Sequence, residues 1–265
     1  MPTERIRTHE RSTPVTGRRR VLILGGTAEA RALARVLDDG PYDAISSLAG
    51  RVSNPRLPVG EVRIGGFGGV EGLREWLRDN RIGAVVDATH PFAATITANA
   101  ATACAQAHVP LLRLRRPAWV PGPDDDWRTV PTIGAAARAV EHGPRRILLT
   151  SGRQDVSAFA HISSAWFAIR VVDPPTGAVP PHHEILRSRG PYHLDGELAL
   201  MREHRIDTLV TKNSGGELTR PKLDAARMLG VGVVMVDRPG EPADTPVTDD
   251  VATAGRWVAD QLPAD

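Results

Sequence analysis

Apolar runs alternate with stretches of helical periodicity along nearly the whole chain. Val21–Gly26 is a short apolar run closed by glycine, and it feeds an amphipathic stretch, Ala28–Asp38. Asp43–Leu48 and Val62–Ile64 read as strands, Val70–Asn80 as a helix and Ala84–Ala88 as a further strand. A long helix, Phe92–His108, leads to the strand Leu111–Leu114. The theme then repeats. Helices near Ile133–Glu141, Val156–His161, Glu197–His204, Lys222–Leu229 and Asp250–Leu262 intersperse strands at Ile147–Thr150, Trp166–Val172, Thr208–Thr211 and Gly232–Val236. Strand–helix alternation of this kind predicts parallel sheets with helices on both faces.

Pro117–Asp126, rich in Pro, Gly and Asp, marks a domain boundary, and the Pro-rich stretch Asp173–Pro181 marks a connecting loop. The expected fold is α/β, with two open parallel-sheet, Rossmann-like domains and an interdomain cleft. Residues 1–19 are expected to be a disordered leader, either native or a misassigned start. Residues 20–118 form a nucleotide-binding domain, and 127–265 a second α/β domain completing a substrate cleft. The leader is polar and arginine-rich, without the apolar stretch of a secretory signal.

Composition narrows the function classes. Of 265 residues, 41% are hydrophobic, so a folded core is expected. No apolar run is long enough to span a bilayer. Cys104 is the single cysteine, which excludes an intrachain disulfide and a cysteine metal cluster, and fits a reducing cytoplasm. Net charge is only +2 and aromatics are 4%, which argues against a nucleic-acid surface. His182, His183 and Glu184 are adjacent but have no further ligand at a useful spacing, so no metal site is expected.

Candidate chemistry gathers at strand ends. The first strand closes in Gly25-Gly26-Thr27-Ala28-Glu29-Ala30. A glycine turn between strand and helix lets a phosphate approach bare backbone and the helix N-terminus. The dinucleotide fingerprint is imperfect, with Thr27 and Ala30 where its second and third glycines stand, so a tight turn without a ligand is the competing reading. The second strand ends Ser46-Ser47-Leu48-Ala49-Gly50-Arg51. It carries no acid to repel a 2′-phosphate, and Arg51 with Ser46 or Ser47 would hold one, so NADP is favoured over NAD. Gly65-Gly66-Phe67-Gly68-Gly69 is a second glycine loop, which a passing cofactor would explain. Asp87-Ala88-Thr89-His90-Pro91-Phe92 puts Thr89 or His90 beside a helix start, with Pro91 in its first turn. His90 is the candidate proton donor or cofactor anchor.

In the second half, Ser151-Gly152-Arg153-Gln154 and Thr211-Lys212-Asn213-Ser214-Gly215-Gly216 follow strands and supply donors for anionic groups. Ser151, Gly152, Arg153, Lys212, Asn213, Ser214, Gly215 and Gly216 are therefore the expected substrate contacts.

Together these blocks, with Ala49-Gly50-Arg51 and Arg116-Pro117-Ala118-Trp119, resemble the precorrin-6A reductase family, also called cobalt-precorrin-6A reductase, from Val21 to about Pro239. The resemblance implies NADPH-dependent reduction of a macrocycle double bond of precorrin-6A, giving precorrin-6B, or of the cobalt equivalents, in cobalamin biosynthesis. The substrate would be a tetrapyrrole with many carboxylates, the enzyme an oxidoreductase acting on a CH–CH group in the cytoplasm. A short-chain dehydrogenase would need Lys four residues after Tyr, but Tyr42 and Tyr192 are followed there by Ser46 and Gly196. An NADP-sensing regulatory module without turnover, or an anion-binding transferase without nicotinamide, are the other readings.

Overall fold

The run Val21–Leu24 sits at the centre of the first sheet, each residue at most 1% exposed, because helices cover both faces of that sheet. The computed structural model describes residues 4–7, 19–50, 56–143 and 145–263. It divides into two units, Met1–Arg116 with Gly240–Asp265, and Pro117–Pro239.

The first unit runs β1 (Glu4–Arg7), β2 (Arg19–Leu24), α1 (Ala28–Asp38), β3 (Tyr42–Leu48), β4 (Glu61–Ile64), α2 (Gly69–Asp79), β5 (Ile82–Asp87), α3 (Ala94–Ala107) and β6 (Leu111–Leu114). Strand alternation sorts the core into two layers. Val21 and Ile23 face α1, packing with Leu33 and Leu37. Leu22 and Leu24 face α2 and α3, packing with Leu73, Leu77, Ala100 and Ala103. Cys104 lies in that second layer. Burial, and then the nearby charge of Asp87, push its thiol up to about 12, so it stays protonated and inert at neutral pH.

In the second unit come β7 (Trp127–Val130), α4 (Ile133–Val140), β8 (Arg146–Leu149), a short 3-10 turn (Val156–Phe159), β9 (Trp166–Val171) and β10 (His183–Arg187). Then follow α5 (Leu194–Glu203), β11 (Thr208–Lys212), a 3-10 turn (Glu217–Thr219), α6 (Pro221–Leu229) and β12 (Gly232–Val236). All its strands pair in parallel, in the order β10-β9-β8-β11-β12-β7. The sequence pattern missed β7 and β10, the two edge strands. Both mix exposed and partly buried positions, so neither makes an apolar run.

After unit 2 the chain returns to the first unit as β13 (Val247–Thr248) and α7 (Val251–Gln261). This corrects the expected second domain, 127–265. β13 pairs in parallel with β6, and Ala254 and Val258 of α7 are fully buried in the layer that holds Leu33 and Leu37. The apolar stripe of the last helix fits α1's side of the first sheet, a choice that helical periodicity alone leaves open. The expected leader is corrected at two points. Glu4–Arg7 forms an antiparallel edge strand on β4, and Arg19 already belongs to β2. Pairing at a sheet edge uses backbone groups, so it needs no apolar pattern. No helix of the described residues is long and apolar enough to cross a membrane.

Candidate active site

The first sheet has the order β1-β4-β3-β2-β5-β6-β13. Chain order reverses between β2 and β5, and open α/β sheets bind ligands outside the carboxyl ends of the strands at such a switch point. There, the Gly25 N–H donates to the Ser47 carbonyl (2.9 Å), and the Ala88 N–H to the Leu24 carbonyl (2.9 Å). Thr27 caps α1 by accepting from the Ala30 N–H (3.1 Å) and donates to the Ala88 carbonyl (2.7 Å). One hydroxyl therefore starts the helix and stitches the two strands flanking the crevice. A Cβ on Gly25 would lie 3.5 Å from the Ala30 Cβ, an ordinary van der Waals contact, so helix and strand pack closely here.

Gly26 has φ of +116°, and a Cβ built on it meets no atom within 4 Å. Cβ atoms built on Gly65, Gly66 and Gly68 likewise meet no atom within 4 Å. Bare backbone facing open space, beside a helix N-terminus, fits the phosphates of a dinucleotide. Glu29, in the first turn of α1, would oppose an anion, but Arg116 meets it at 3.2 Å. Ser46 Oγ is buried with no hydrogen-bond partner.

Arg63 is a residue that the sequence pattern missed. It is 1% exposed on β4, paired in register with Ser47 of β3. Its guanidinium donates to Ser47 Oγ (2.7 Å) and to the carbonyls of Gly65 (3.0 Å) and Gly66 (3.0 Å). It also lies 3.7 Å from the Phe67 ring centroid, a cation–π contact. Arg63 thus shapes the glycine loop from below and engages Ser47. Gly72 completes the shape: a Cβ there would stand 1.9 Å from the Phe67 carbonyl oxygen, so only glycine lets the loop rest on α2. Arg51 lies outside the described residues. Gly50, just before it, adopts φ of +69°.

At the end of β5, Asp87 is 1% exposed. It accepts from the Thr89 N–H (3.0 Å), from Thr89 Oγ1 (2.7 Å) and from Thr97 Oγ1 (2.7 Å). Arg113 of β6, also 1% exposed, pairs with it at 2.8 Å and donates to Thr89 Oγ1 (3.1 Å). Glu241 bridges Arg113 (3.1 Å) and Arg115 (2.5 Å). An arginine inside an apolar strand was the available signal for this network, since a buried charge demands a partner. The Thr89 side chain, expected to meet the cofactor, is bonded inward to Asp87 and Arg113. Pro91 is not in a helix: α3 begins at Ala94, and Pro91 lies in the turn before it. His90 Nδ1 accepts from the Phe92 N–H (3.2 Å), which places the proton of the neutral ring on Nε2.

Unit 2 has a switch point of its own, between β8 and β11. Thr150–Asp155 follows β8, and Lys212–Gly216 begins at the end of β11. Lys212 Nζ joins the two loops through Asp155 at 2.5 Å. Ser151 is 6% exposed, and its Oγ has no hydrogen-bond partner. Asn213 departs from expectation. Its Oδ1 accepts from the Trp119 N–H (2.8 Å) and its Nδ2 donates to the Trp119 carbonyl (3.0 Å), so it clamps a strap of chain. Gly215 and Gly216 serve the same strap. A Cβ on Gly215 would stand 2.0 Å from the Pro117 carbonyl oxygen, and Trp119 Nε1 donates to the Gly216 carbonyl (3.2 Å). Lys222, 4% exposed, lies 4.4 Å from the Trp119 ring centroid. Asn213, Gly215, Gly216 and Lys222 hold this strap, and Ser151, Gly152, Arg153, Lys212 and Ser214 stand with them in the loops after β8 and β11. Among the described residues no three His, Cys, Asp or Glu side chains lie together as a metal cage.

Comparisons with known proteins place the chain in a family. A precorrin-6A reductase from Rhodococcus erythropolis is 57% identical over 240 residues, covering 90% of this chain and 97% of that protein. One from Mycobacterium tuberculosis is 58% identical, covering 91% and 97%. A cobalt-precorrin-6A reductase from Salmonella typhimurium is 30% identical, covering 83% and 87%. Among solved structures, a CobK precorrin-6A reductase superposes with a TM-score of 0.86 at 40% identity, covering 92% of this chain and 97% of that one. The family model described as precorrin-6x reductase CbiJ/CobK matches residues 20–259, and the chain belongs to that family.

Proposed function

We propose that this protein reduces a ring double bond of precorrin-6A with NADPH, giving precorrin-6B in cobalamin biosynthesis. The observation that carries the reading is the bare backbone at Gly26, beside the α1 N-terminus, and at Gly65, Gly66 and Gly68, found in a chain of the reductase family. Bound NADPH supplies the hydride. The protein's part is to bind and orient. The α1 N-terminus and Gly26 receive phosphate, Arg63 holds the glycine loop, and His90 stands at the end of β5 as the candidate anchor. Ser151, Gly152, Arg153, Lys212 and Ser214 stand as candidate substrate contacts. A buried, protonated Cys104 suits a reducing cytoplasm. The test is loss of reduced-nicotinamide absorbance with precorrin-6A; binding of NADPH without turnover would instead support a sensing module.

The metal-free macrocycle is the favoured substrate. Relatives named for precorrin-6A are 42–58% identical, whereas those named for the cobalt form are 27–30% identical. Assays with both macrocycles side by side decide between them.

NADPH should bind more tightly than NADH. The end of β3 has no acid from Ser46 to Arg51, and a charge-assisted hydrogen bond from Arg51 is worth about 1.5–3 kcal/mol, or roughly tenfold to a hundredfold. Arg51→Ala should erode that preference and spare NADH. Equal affinity of the unaltered protein for both would refute the assignment.

His90→Asn separates anchoring from proton donation. Asn Oδ1 can replace Nδ1 in accepting from the Phe92 N–H, while the Nε2–H is lost. As an anchor, the change should weaken NADPH by about two- to tenfold, the worth of one neutral hydrogen bond. Turnover at saturation should stay within about threefold, against a loss of about 10²–10⁴ for a general acid. A single-turnover measurement reads the difference.

A further inference from the structure

We propose that Arg116 is the counter-charge that lets an acidic residue stand at the cofactor's phosphate turn, so that the Glu29–Arg116 pair sets how tightly the diphosphate is held. The proposal rests on the reading above that the turn after β2 receives those phosphates. Thr27 caps α1 by accepting from the Ala30 N–H (3.1 Å). The N–H groups of Ala28 and Glu29, one step earlier in the helix, have no intrahelical carbonyl to meet. They are the donors that a helix start offers to an anion. Glu29 therefore presents two opposite groups to one ligand. Its backbone N–H favours a phosphate, and its carboxylate, carried on the same first turn, opposes one. At a rise of about 1.5 Å per residue, its Cα lies only about 3 Å along the axis from the cap.

Arg116 answers that carboxylate. Its Nη1 donates to Glu29 Oε2 at 3.2 Å, across 87 residues of chain, and both residues belong to the first unit. Arg116 stands two residues beyond β6, and β6 is the neighbour of β5. The pair thus joins the helix that follows β2 to the segment that follows β6, with β5 between them in the sheet. Its side chains are only 18% and 22% exposed, so water and salt screen the two charges in part, and removing either one is felt at the turn. An acid in a first turn also favours the helix dipole, which would account for Glu29 without any ligand. The two roles differ in sign. A Glu29 that serves the helix alone gives no gain in cofactor affinity when its charge is removed. A Glu29 that opposes phosphate makes the same substitution tighten the cofactor, and makes loss of Arg116 weaken it.

The test titrates the full chain with NADPH and with ADP, at low salt and at about 1 M salt, where the Debye length falls to about 3 Å. Thermal unfolding of each sample reports the fold. At low salt Arg116→Gln should weaken both nucleotides about five- to fiftyfold, and Glu29→Gln should tighten them about two- to tenfold. The double variant, which strands no charge, should return to within about threefold of the unaltered protein. Arg116→Lys keeps the positive charge and should stay within about fivefold. High salt should shrink every one of these differences. Affinity that is unchanged or lower in Glu29→Gln, or a double variant as weak as Arg116→Gln, would overturn the proposal even if NADPH is the cofactor. The same pattern with ADP in a protein that does not bind NADPH would uphold the charge pair and refute the cofactor assignment.

Discussion

Arg113→Met is expected to cost about 3–5 kcal/mol in the urea unfolding of the first unit, the penalty for removing one partner of a buried ion pair. The guanidinium and Asp87 are each 1% exposed and stand 2.8 Å apart. Without Arg113, the Asp87 carboxylate is left buried with only hydroxyl and amide donors around it. Glu241 keeps Arg115, so the damage concentrates at the end of β5. That end holds Thr89 through Asp87, and Thr89 precedes His90. NADPH affinity should therefore fall together with stability, although Arg113 lies beneath the crevice wall. Pairing the change with Asp87→Asn removes the stranded charge. The double variant should lose less than the two single losses summed, by about 0.5–3 kcal/mol, as expected for residues in contact. A loss below about 1 kcal/mol for Arg113→Met alone would show that the network does not hold the strand ends.

Gly26→Val should abolish cofactor binding while the fold persists. The φ of +116° disfavours any side chain, and such backbone strain costs of order 1–3 kcal/mol. A built Cβ meets nothing within 4 Å, so no clash inside the protein adds to that strain. The branched side chain instead fills the space that a phosphate needs beside the α1 N-terminus. The expected loss in NADPH affinity exceeds about a hundredfold, equal to roughly 2.8 kcal/mol at about 1.4 kcal/mol per decade. Thermal unfolding and a nucleotide titration of the same sample separate the two effects. Gly26→Ala should show the same backbone strain with a smaller loss of affinity. Wild-type affinity in Gly26→Val would move the cofactor away from this turn.

The sequence by itself determined the α/β class, the parallel sheets and the glycine turns. Val21–Leu24 and Ile147–Leu149 are apolar on both faces, and only a sheet covered on both sides buries every residue of such a run. Gly26 and Gly68 announce backbone conformations that other residues avoid, so they mark turns before any fold is known. The family blocks, too, are local strings. What the pattern could not carry is the identity of the partner. Periodicity tells which face of α7 is buried; only the tertiary structure set that face against the first sheet rather than the second. Asn213 reads as a free donor in a polar loop until both ends of its amide are found on the Trp119 backbone, 94 residues away in the chain. Arg63 and Arg113 read as strand arginines until their buried acceptors appear from neighbouring strands and loops. The edge strands β1, β7 and β10 are held by backbone pairing, which leaves little mark on side-chain polarity. Local chemistry is written in the order of residues, whereas long-range pairing is decided when packing brings distant groups within a few ångströms.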